Sequence, residues 1–146
     1  MTTFLLLLLI FHLDAVDPEE QVDKNLPNRE DPKWDHLRAK NLHELKKKAD
    51  EGETIELPVL EGYFPKAFSP DMAKAFIMTP QRYKLLNEFA SAVHLGEANI
   101  RNADHEAGMI LSGPNGVGKS FESYLITSVA YVNDCLVVYI VSCIIT

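Results

Sequence analysis

Residues 113–120 read Gly113-Pro114-Asn115-Gly116-Val117-Gly118-Lys119-Ser120, which fits the phosphate-binding loop pattern G-x-x-x-x-G-K-[ST] throughout. The glycines allow the backbone to turn tightly and to direct several N–H groups inward, where they can bind anionic oxygens. A helix that begins near Lys119 would add its positive N-terminal end to the same place. We therefore expect Lys119 to reach the β- and γ-phosphates of ATP or GTP, and the Ser120 hydroxyl to coordinate Mg²⁺.

The sequence on both sides of the loop has the pattern that a phosphate-binding loop requires. An apolar run over residues 108–112 predicts a buried strand. After the loop, apolar residues recur at three- and four-residue spacing and predict a helix packed on a sheet: Phe121, Leu125, Val129 and Val132. Asn133-Asp134 ends this pattern, and residues 135–141 predict a second strand. A glycine-rich turn that binds nothing is the alternative interpretation.

The predicted fold class is α/β: an incomplete P-loop NTPase, strand–loop–helix–strand, in residues 107–146, preceded by a mainly helical region. Two strands and one helix leave an open sheet edge and an uncovered face, so we expect a truncated part of a longer domain. Whether the chain is an enzyme stays open, because no second acidic motif follows the loop. Asp134 lies in the turn after the predicted helix and Glu122 in its first turn, so we assign no catalytic residue.

Composition and charge argue against other classes of site. With a net charge of −7 at pH 7, we do not expect the chain to have the broad basic surface of a nucleic-acid-binding protein. On one continuous strand, Cys135 and Cys143 would lie roughly 26 Å apart, which is too far for a disulfide. We expect both to be buried free thiols, and their spacing from the histidines does not indicate a metal site.

The chain before residue 31 divides into two segments. Residues 1–15 form an apolar leader, and its run Phe4–Phe11 is far shorter than the ~20 residues of a membrane-spanning helix. The length suits a secretory signal peptide, but no charged side chain precedes the run. A replaced N-terminus and an apolar segment that packs in the fold are the alternatives. Residues 16–30 are acidic, contain two prolines and predict a solvated linker.

Residues 31–106 predict a mainly helical region. Asp31-Pro32 is typical of a helix start, and an apolar stripe continues from there to Ala49, with Gly52 as the stop. Ser69-Pro70 and Thr79-Pro80 repeat the same start signal. The last of these helices should end near Gly96. Four of its apolar residues should share one face: Tyr83, Leu86, Ala90 and Val93. Between the helices, Ile55–Leu60 predicts a short edge strand or extended segment, because Pro58 interrupts it.

Residues 108–143, GMILSGPNGVGKSFESYLITSVAYVNDCLVVYIVSC, resemble the phosphate-loop region of Crinkler-type (crinkling and necrosis) effector proteins of oomycetes and some fungi. The most diagnostic parts are the loop SGPNGVGKS, the SVAYVN helix end and the VVYI strand. Residues 60–89 fit the same proteins less specifically. The chain departs from the family in having neither a ubiquitin-like header nor a leucine-phenylalanine-leucine-alanine-lysine translocation motif. Only the motif positions carry over: Gly113, Gly116, Gly118, Lys119 and Ser120.

The resemblance implies an AAA-type NTPase region that binds ATP, in a protein that is secreted and translocated into a host cell. It also implies a host protein target and an oligomeric assembly. Without these implications, a cytoplasmic chain is the default. We expect a nucleotide-binding module that does not hydrolyse by itself. The alternatives are a non-enzymatic effector or interaction protein with a relic loop, and a truncated non-functional copy whose apolar end, Leu136–Ile145, lacks covering elements.

Overall fold

The computed structural model describes residues 9–12, 26–61, 68–95 and 118–138. In chain order the elements are β1 (Leu9–His12), two 3₁₀ helices (Pro32–Leu37 and Ala39–Glu44), α1 (Leu45–Glu51), β2 (Thr54–Ile55), α2 (Pro70–Lys74), β3 (Phe76–Ile77), α3 (Pro80–Ala92), α4 (Lys119–Val132) and β4 (Cys135–Val138). The strand predicted over residues 108–112, the loop residues 113–117 and Cys143 lie outside the described residues. Helix α3 ends at Ala92, a few residues before the predicted end near Gly96.

The segment after the linker begins and ends where the sequence predicts, but it is not one helix. Asp31 caps the first turn, because its carboxylate accepts a hydrogen bond from the backbone N–H of Lys33 at 3.0 Å. Gly52 ends α1 in the left-handed conformation, with φ +68°. Between them the prediction of a continuous helix to Ala49 is wrong, since Arg38 is extended, with φ −71° and ψ 144°.

The break at Arg38 has a tertiary cause. The side chain of Asn133 donates to the carbonyl of Leu37 and accepts from the N–H of Ala39, both at 2.9 Å. Arg38 itself donates to the carbonyls of Val132 and Arg29, at 3.2 and 3.0 Å. The peptide groups on both sides of Arg38 therefore bond to the end of α4, and a single helix through this point would have to give up those bonds.

The two later helix starts follow the predicted signals. Pro70 and Pro80 each occupy the first turn, after Ser69 and Thr79 in extended conformations. The Thr79 hydroxyl accepts from the N–H of Arg82 at 3.3 Å, whereas the Ser69 side chain makes no such cap bond. On α3, Leu86 of the predicted face is buried, and the other three predicted positions are partly buried and pack against the core: Tyr83, Ala90 and Val93. Phe89, which the prediction did not include, is buried as well.

Within the segment Ile55–Leu60, strand pairing is limited to Ile55. Only β2 pairs, with β3 and antiparallel, and Ile55 lies opposite Phe76. Beyond β2, the N–H of Leu57 donates to the carbonyl of Ala73 at 2.7 Å. Pro58 itself has no N–H to offer a partner strand, and the paired strand has already ended at Ile55.

Helix α4 lies at the centre of the core. Leu125, Val129 and Val132 are fully buried as predicted, and Phe121 packs at the edge. Every residue from 123 to 130 is buried, so α4 is enclosed on all its faces, not along one stripe. The Tyr124 hydroxyl joins α4 to the segment Ile55–Leu60, because the hydroxyl donates to the carbonyl of Pro58 at 2.6 Å and accepts from the N–H of Leu60 at 3.0 Å.

Strand β4 follows α4 as predicted, and its partner is β1. The two strands are antiparallel, with Leu9 opposite Val138 and His12 opposite Cys135. For residues 9–12, this pairing agrees with the interpretation of the leader as a segment that packs in the fold. The two sheets among the described strands are both antiparallel pairs. The P-loop NTPase class needs a strand beside the loop, at residues outside the described ranges, and it stays a prediction.

Candidate phosphate-binding site

The described part of the motif is its glycine–lysine–serine end. Gly118 has φ +89°, which is a left-handed conformation that side-chain-bearing residues rarely adopt. It is the N-cap of α4, and Lys119 is the first helical residue, as the sequence predicts. The carbonyl of Gly118 accepts the N–H of Phe121 at 2.8 Å, so the helix is hydrogen-bonded from its first turn.

The helix start presents two polar side chains of the motif. Lys119 is half-buried and Ser120 is exposed at the second helical position. An exposed hydroxyl suits a magnesium ligand, because Mg²⁺ is usually bound by few protein oxygens together with water and substrate phosphates. Among the described residues, no three His, Cys, Asp or Glu side chains cluster in a way that could hold a metal ion.

Next to Gly118 lies a carboxylate from the following turn. A Cβ built on Gly118 would meet Glu122 Oε2 at 3.2 Å, and both other carboxylate atoms lie within 4 Å. Glu122 Oε1 accepts from Arg82 Nε at 3.2 Å, with the Arg82 and Glu122 side chains 18% and 22% exposed. An anionic group and its cationic partner thus stand at the end of the candidate loop.

Arg82 is held in place from several sides. Its guanidinium lies 4.6 Å from the centroid of the Phe76 ring and donates to the carbonyl of Ile77. Its own backbone N–H is the one capped by Thr79. The start of α3 therefore fixes this cation beside the start of α4.

Sequence reasoning missed the part that Arg82 plays here. It noted Glu122 as a first-turn acid, but the two residues are 40 positions apart and no local pattern links them. The signal that could have drawn attention to Glu122 is its position: a carboxylate in the first turn interacts with the positive helix end.

At its C-terminal end, α4 is held by residues of the segment that the sequence predicts to be a linker. The Tyr131 hydroxyl donates to the carbonyl of Pro27 at 2.7 Å, and the Arg29 guanidinium lies 4.6 Å from the Tyr131 ring centroid. Arg29 also pairs with Asp134 at 3.2 Å. Because α4 has 14 residues, its two ends are roughly 20 Å apart at 1.5 Å per residue. Asp134 is thus remote from Gly118.

Burial raises the pKa values of two side chains, Tyr124 in α4 and Cys135 just after it. Cys135 is a free buried thiol, as predicted, and burial, with a smaller contribution from the Asp134 carboxylate, raises its pKa to about 11. Burial likewise raises the pKa of the Tyr124 hydroxyl to about 12. Since the thiolate is the nucleophilic form, Cys135 is structural at neutral pH.

Comparison with known proteins gives no match to a family model, to a curated protein or to a solved structure. Within the residues that the structure describes, none of the helices has both the length and the apolar character needed to cross a membrane.

Proposed function

We propose that this chain binds a nucleoside triphosphate, ATP or GTP, together with Mg²⁺, through residues 113–120. The observation that carries the proposal is the left-handed Gly118 followed at once by the first residue of α4, Lys119. This arrangement supports the proposal, because it brings the lysine and the serine of the motif to the positive end of a helix.

Each motif residue has a physical role in this proposal. Backbone N–H groups of residues 115–120 bind phosphate oxygens, and Lys119 contacts the β- and γ-phosphates. Ser120 would hold Mg²⁺ through its hydroxyl, and the ion, when bound, neutralises phosphate charge. The helix dipole of α4 adds a favourable potential at the same end.

We expect binding without turnover by this chain alone. Hydrolysis requires an acidic group that positions water or metal near the γ-phosphate. Of the two acids considered, Glu122 is engaged by Arg82, and Asp134 lies at the opposite end of α4, paired with Arg29. A measured turnover that disappears in Lys119→Ala would contradict this expectation.

The biological setting that we propose is that of a Crinkler-like secreted effector, which rests on the sequence resemblance of residues 108–143. A second candidate is an effector that acts through protein contacts and carries the loop as a relic. One observation favours it: the Glu122 carboxylate lies against Gly118, and its charge opposes an incoming phosphate.

Isothermal titration with Mg-ATP, Mg-GTP and Mg-ADP tests the proposal on the full chain. We expect saturable binding of a triphosphate, reduced by roughly tenfold or more in Lys119→Ala, since a charged contact to phosphate is lost. Lys84→Ala is the matched control, because Lys84 is exposed on α3 and its ion pair with Glu88 spans 3.9 Å at the surface. Equal affinity in the wild type, Lys119→Ala and Lys84→Ala would overturn the proposal and favour the relic loop.

A further inference from the structure

The ion pair between Arg82 and Glu122 has features that a surface pair lacks. Both side chains are largely buried, and they join α3 to the first turn of α4 across 40 positions of sequence. By contrast, the described ion pairs within α1 and within α3 join exposed side chains one turn apart on the same helix: Lys46–Asp50, Lys47–Glu51 and Lys84–Glu88. Such exposed pairs contribute little, whereas a shielded pair interacts more strongly.

The carboxylate of Glu122 is incompletely satisfied. Oε1 accepts from Arg82, but among the described residues Oε2 is buried without a hydrogen-bond partner. Oε2 is also the atom closest to the Cβ position of Gly118, at 3.2 Å. A negative charge therefore lies beside the last glycine of the motif, where the proposed ligand brings negative charge of its own.

Arg82 is built as a fixed counter-ion. The Phe76 ring, the carbonyl of Ile77 and the Glu122 carboxylate each contact its guanidinium. An arginine held by three groups from two elements has little freedom to turn away, so its charge stays next to Glu122 whether or not a ligand is bound.

We propose that Arg82 is a positioning residue of the phosphate site, which holds the Glu122 carboxylate in place and neutralises its charge so that a polyphosphate can bind beside Gly118. This inference rests on the proposed nucleotide binding. It assigns Arg82 an effect that passes through Glu122, with no contact between Arg82 and the nucleotide.

A counter-ion and a merely structural ion pair give opposite results when the two residues are changed. If Arg82 masks the carboxylate, Arg82→Gln exposes an unopposed negative charge and weakens binding, whereas Glu122→Gln removes that charge and does not weaken it. The double variant then recovers, because no charge is left to mask. If the pair only holds α3 against α4, both single variants weaken binding and the double variant does not recover.

The experiment is a titration with Mg-ATP, and separately with inorganic tripolyphosphate, of full-length wild type and three variants: Arg82→Gln, Glu122→Gln and the double variant. We expect Arg82→Gln to lose roughly tenfold in affinity, Glu122→Gln to equal or exceed the wild type by up to about fivefold, and the double variant to return to within about threefold. Lys84→Gln, on the exposed side of α3, should leave affinity unchanged. Tripolyphosphate should show the same order of affinities, because the effect concerns phosphate charge alone.

Three outcomes would overturn the inference. Unchanged affinity in Arg82→Gln, with binding lost in Lys119→Ala, leaves the proposed function standing and removes the role of Arg82. Equal losses in both single variants without recovery in the double variant assign the pair to structure only. Absence of binding in every variant, including Glu122→Gln, overturns both proposals. Should Arg82→Gln fail to fold, Arg82→Lys keeps the charge without the two-pronged guanidinium, so it should retain affinity. A loss of affinity in Arg82→Lys as large as that in Lys119→Ala would then overturn the inference.

Discussion

The side-chain oxygen of Asn133 accepts a hydrogen bond from the backbone N–H of Ala39 at 2.9 Å, although 94 residues separate the two. The amide nitrogen of the same side chain donates to the carbonyl of Leu37 at 2.9 Å and to that of Val129 at 2.7 Å. One amide thus joins the break between the two 3₁₀ helices to the last turn of α4.

We expect Asn133→Ala to destabilise the fold by about 2 kcal/mol, since two long-range hydrogen bonds are lost and each contributes about 1 kcal/mol. The free energy of unfolding from urea denaturation measures the effect. Asn133→Asp keeps the acceptor for Ala39 but places a carboxylate oxygen against the carbonyls of Leu37 and Val129 at the negative end of α4, so it should cost at least as much as Asn133→Ala. Asn41→Ala is the control, because Asn41 makes an exposed local bond to the carbonyl of Asp35. Equal losses at positions 41 and 133 would contradict the long-range role.

Gly118→Ala should destabilise the fold more than Gly52→Ala does. Both glycines have left-handed φ values, +89° and +68°, and an alanine in this conformation costs about 1–2 kcal/mol. At Gly52 nothing lies within 4 Å of an added Cβ, whereas at Gly118 the Glu122 carboxylate lies at 3.2 Å. The difference between the two free energies of unfolding therefore measures the Glu122 contact, and Glu122→Ala should reduce it. Equal costs at both glycines would show that the carboxylate yields without penalty.

Tyr124→Phe should destabilise the fold by about 1–3 kcal/mol, because the buried N–H of Leu60 loses its partner together with the carbonyl of Pro58. Tyr131→Phe removes a single hydrogen bond to the carbonyl of Pro27 from a partly buried position and should cost less. Thermal unfolding of the two variants beside the wild type measures both effects. The reverse order would mean that α4 is fastened mainly at its C-terminal end.

Stability should fall as pH rises above about 9. Burial raises the pKa of Cys135 from 9.0 to about 11 and that of Tyr124 from 10.0 to about 12. Between each pair of values the unfolded chain releases a proton that the folded chain retains, so the free energy of unfolding decreases with pH. The contribution of each group is full below its unfolded pKa and is lost through its folded pKa, on the order of 1–3 kcal/mol each.

Variants of Cys135 and Tyr124 should separate their two contributions to the fall in stability with pH. Cys135→Ala should remove the part of the decrease that begins near pH 9, and Tyr124→Phe the part that begins near pH 10. Denaturant titrations at about one-unit steps from about pH 8 to 11 would follow both parts of the decrease. A wild-type stability that is constant from about pH 8 to 11 would contradict the raised values.

The elements that the sequence predicted correctly depend on residues close together in the chain. The caps at Asp31 and Thr79, the stop at Gly52 and the helix start at Lys119 each involve groups within one turn. Such signals act through local hydrogen bonds and backbone conformation, so the sequence alone is sufficient to predict these elements.

What the sequence could not reveal depends on distant residues. The break at Arg38 is set by Asn133, and the partner of Glu122 is Arg82. The pairing of β4 with β1 is equally non-local. In each case the local pattern is compatible with several partners, and only the packed chain selects one. At the candidate site, the helix start at Lys119 was therefore predicted from the sequence, and the ion pair between Arg82 and Glu122 was not.

The antiparallel register of β1 and β4 makes two fates of the leader mutually exclusive. A signal peptidase that cut after the leader would take away residues 9–12, and with them the hydrogen-bonding partner of β4. The backbone groups freed along that edge would then be open to a strand from another molecule. An exported form and an intact form of this chain would therefore differ in which surface is available for assembly, as well as in length.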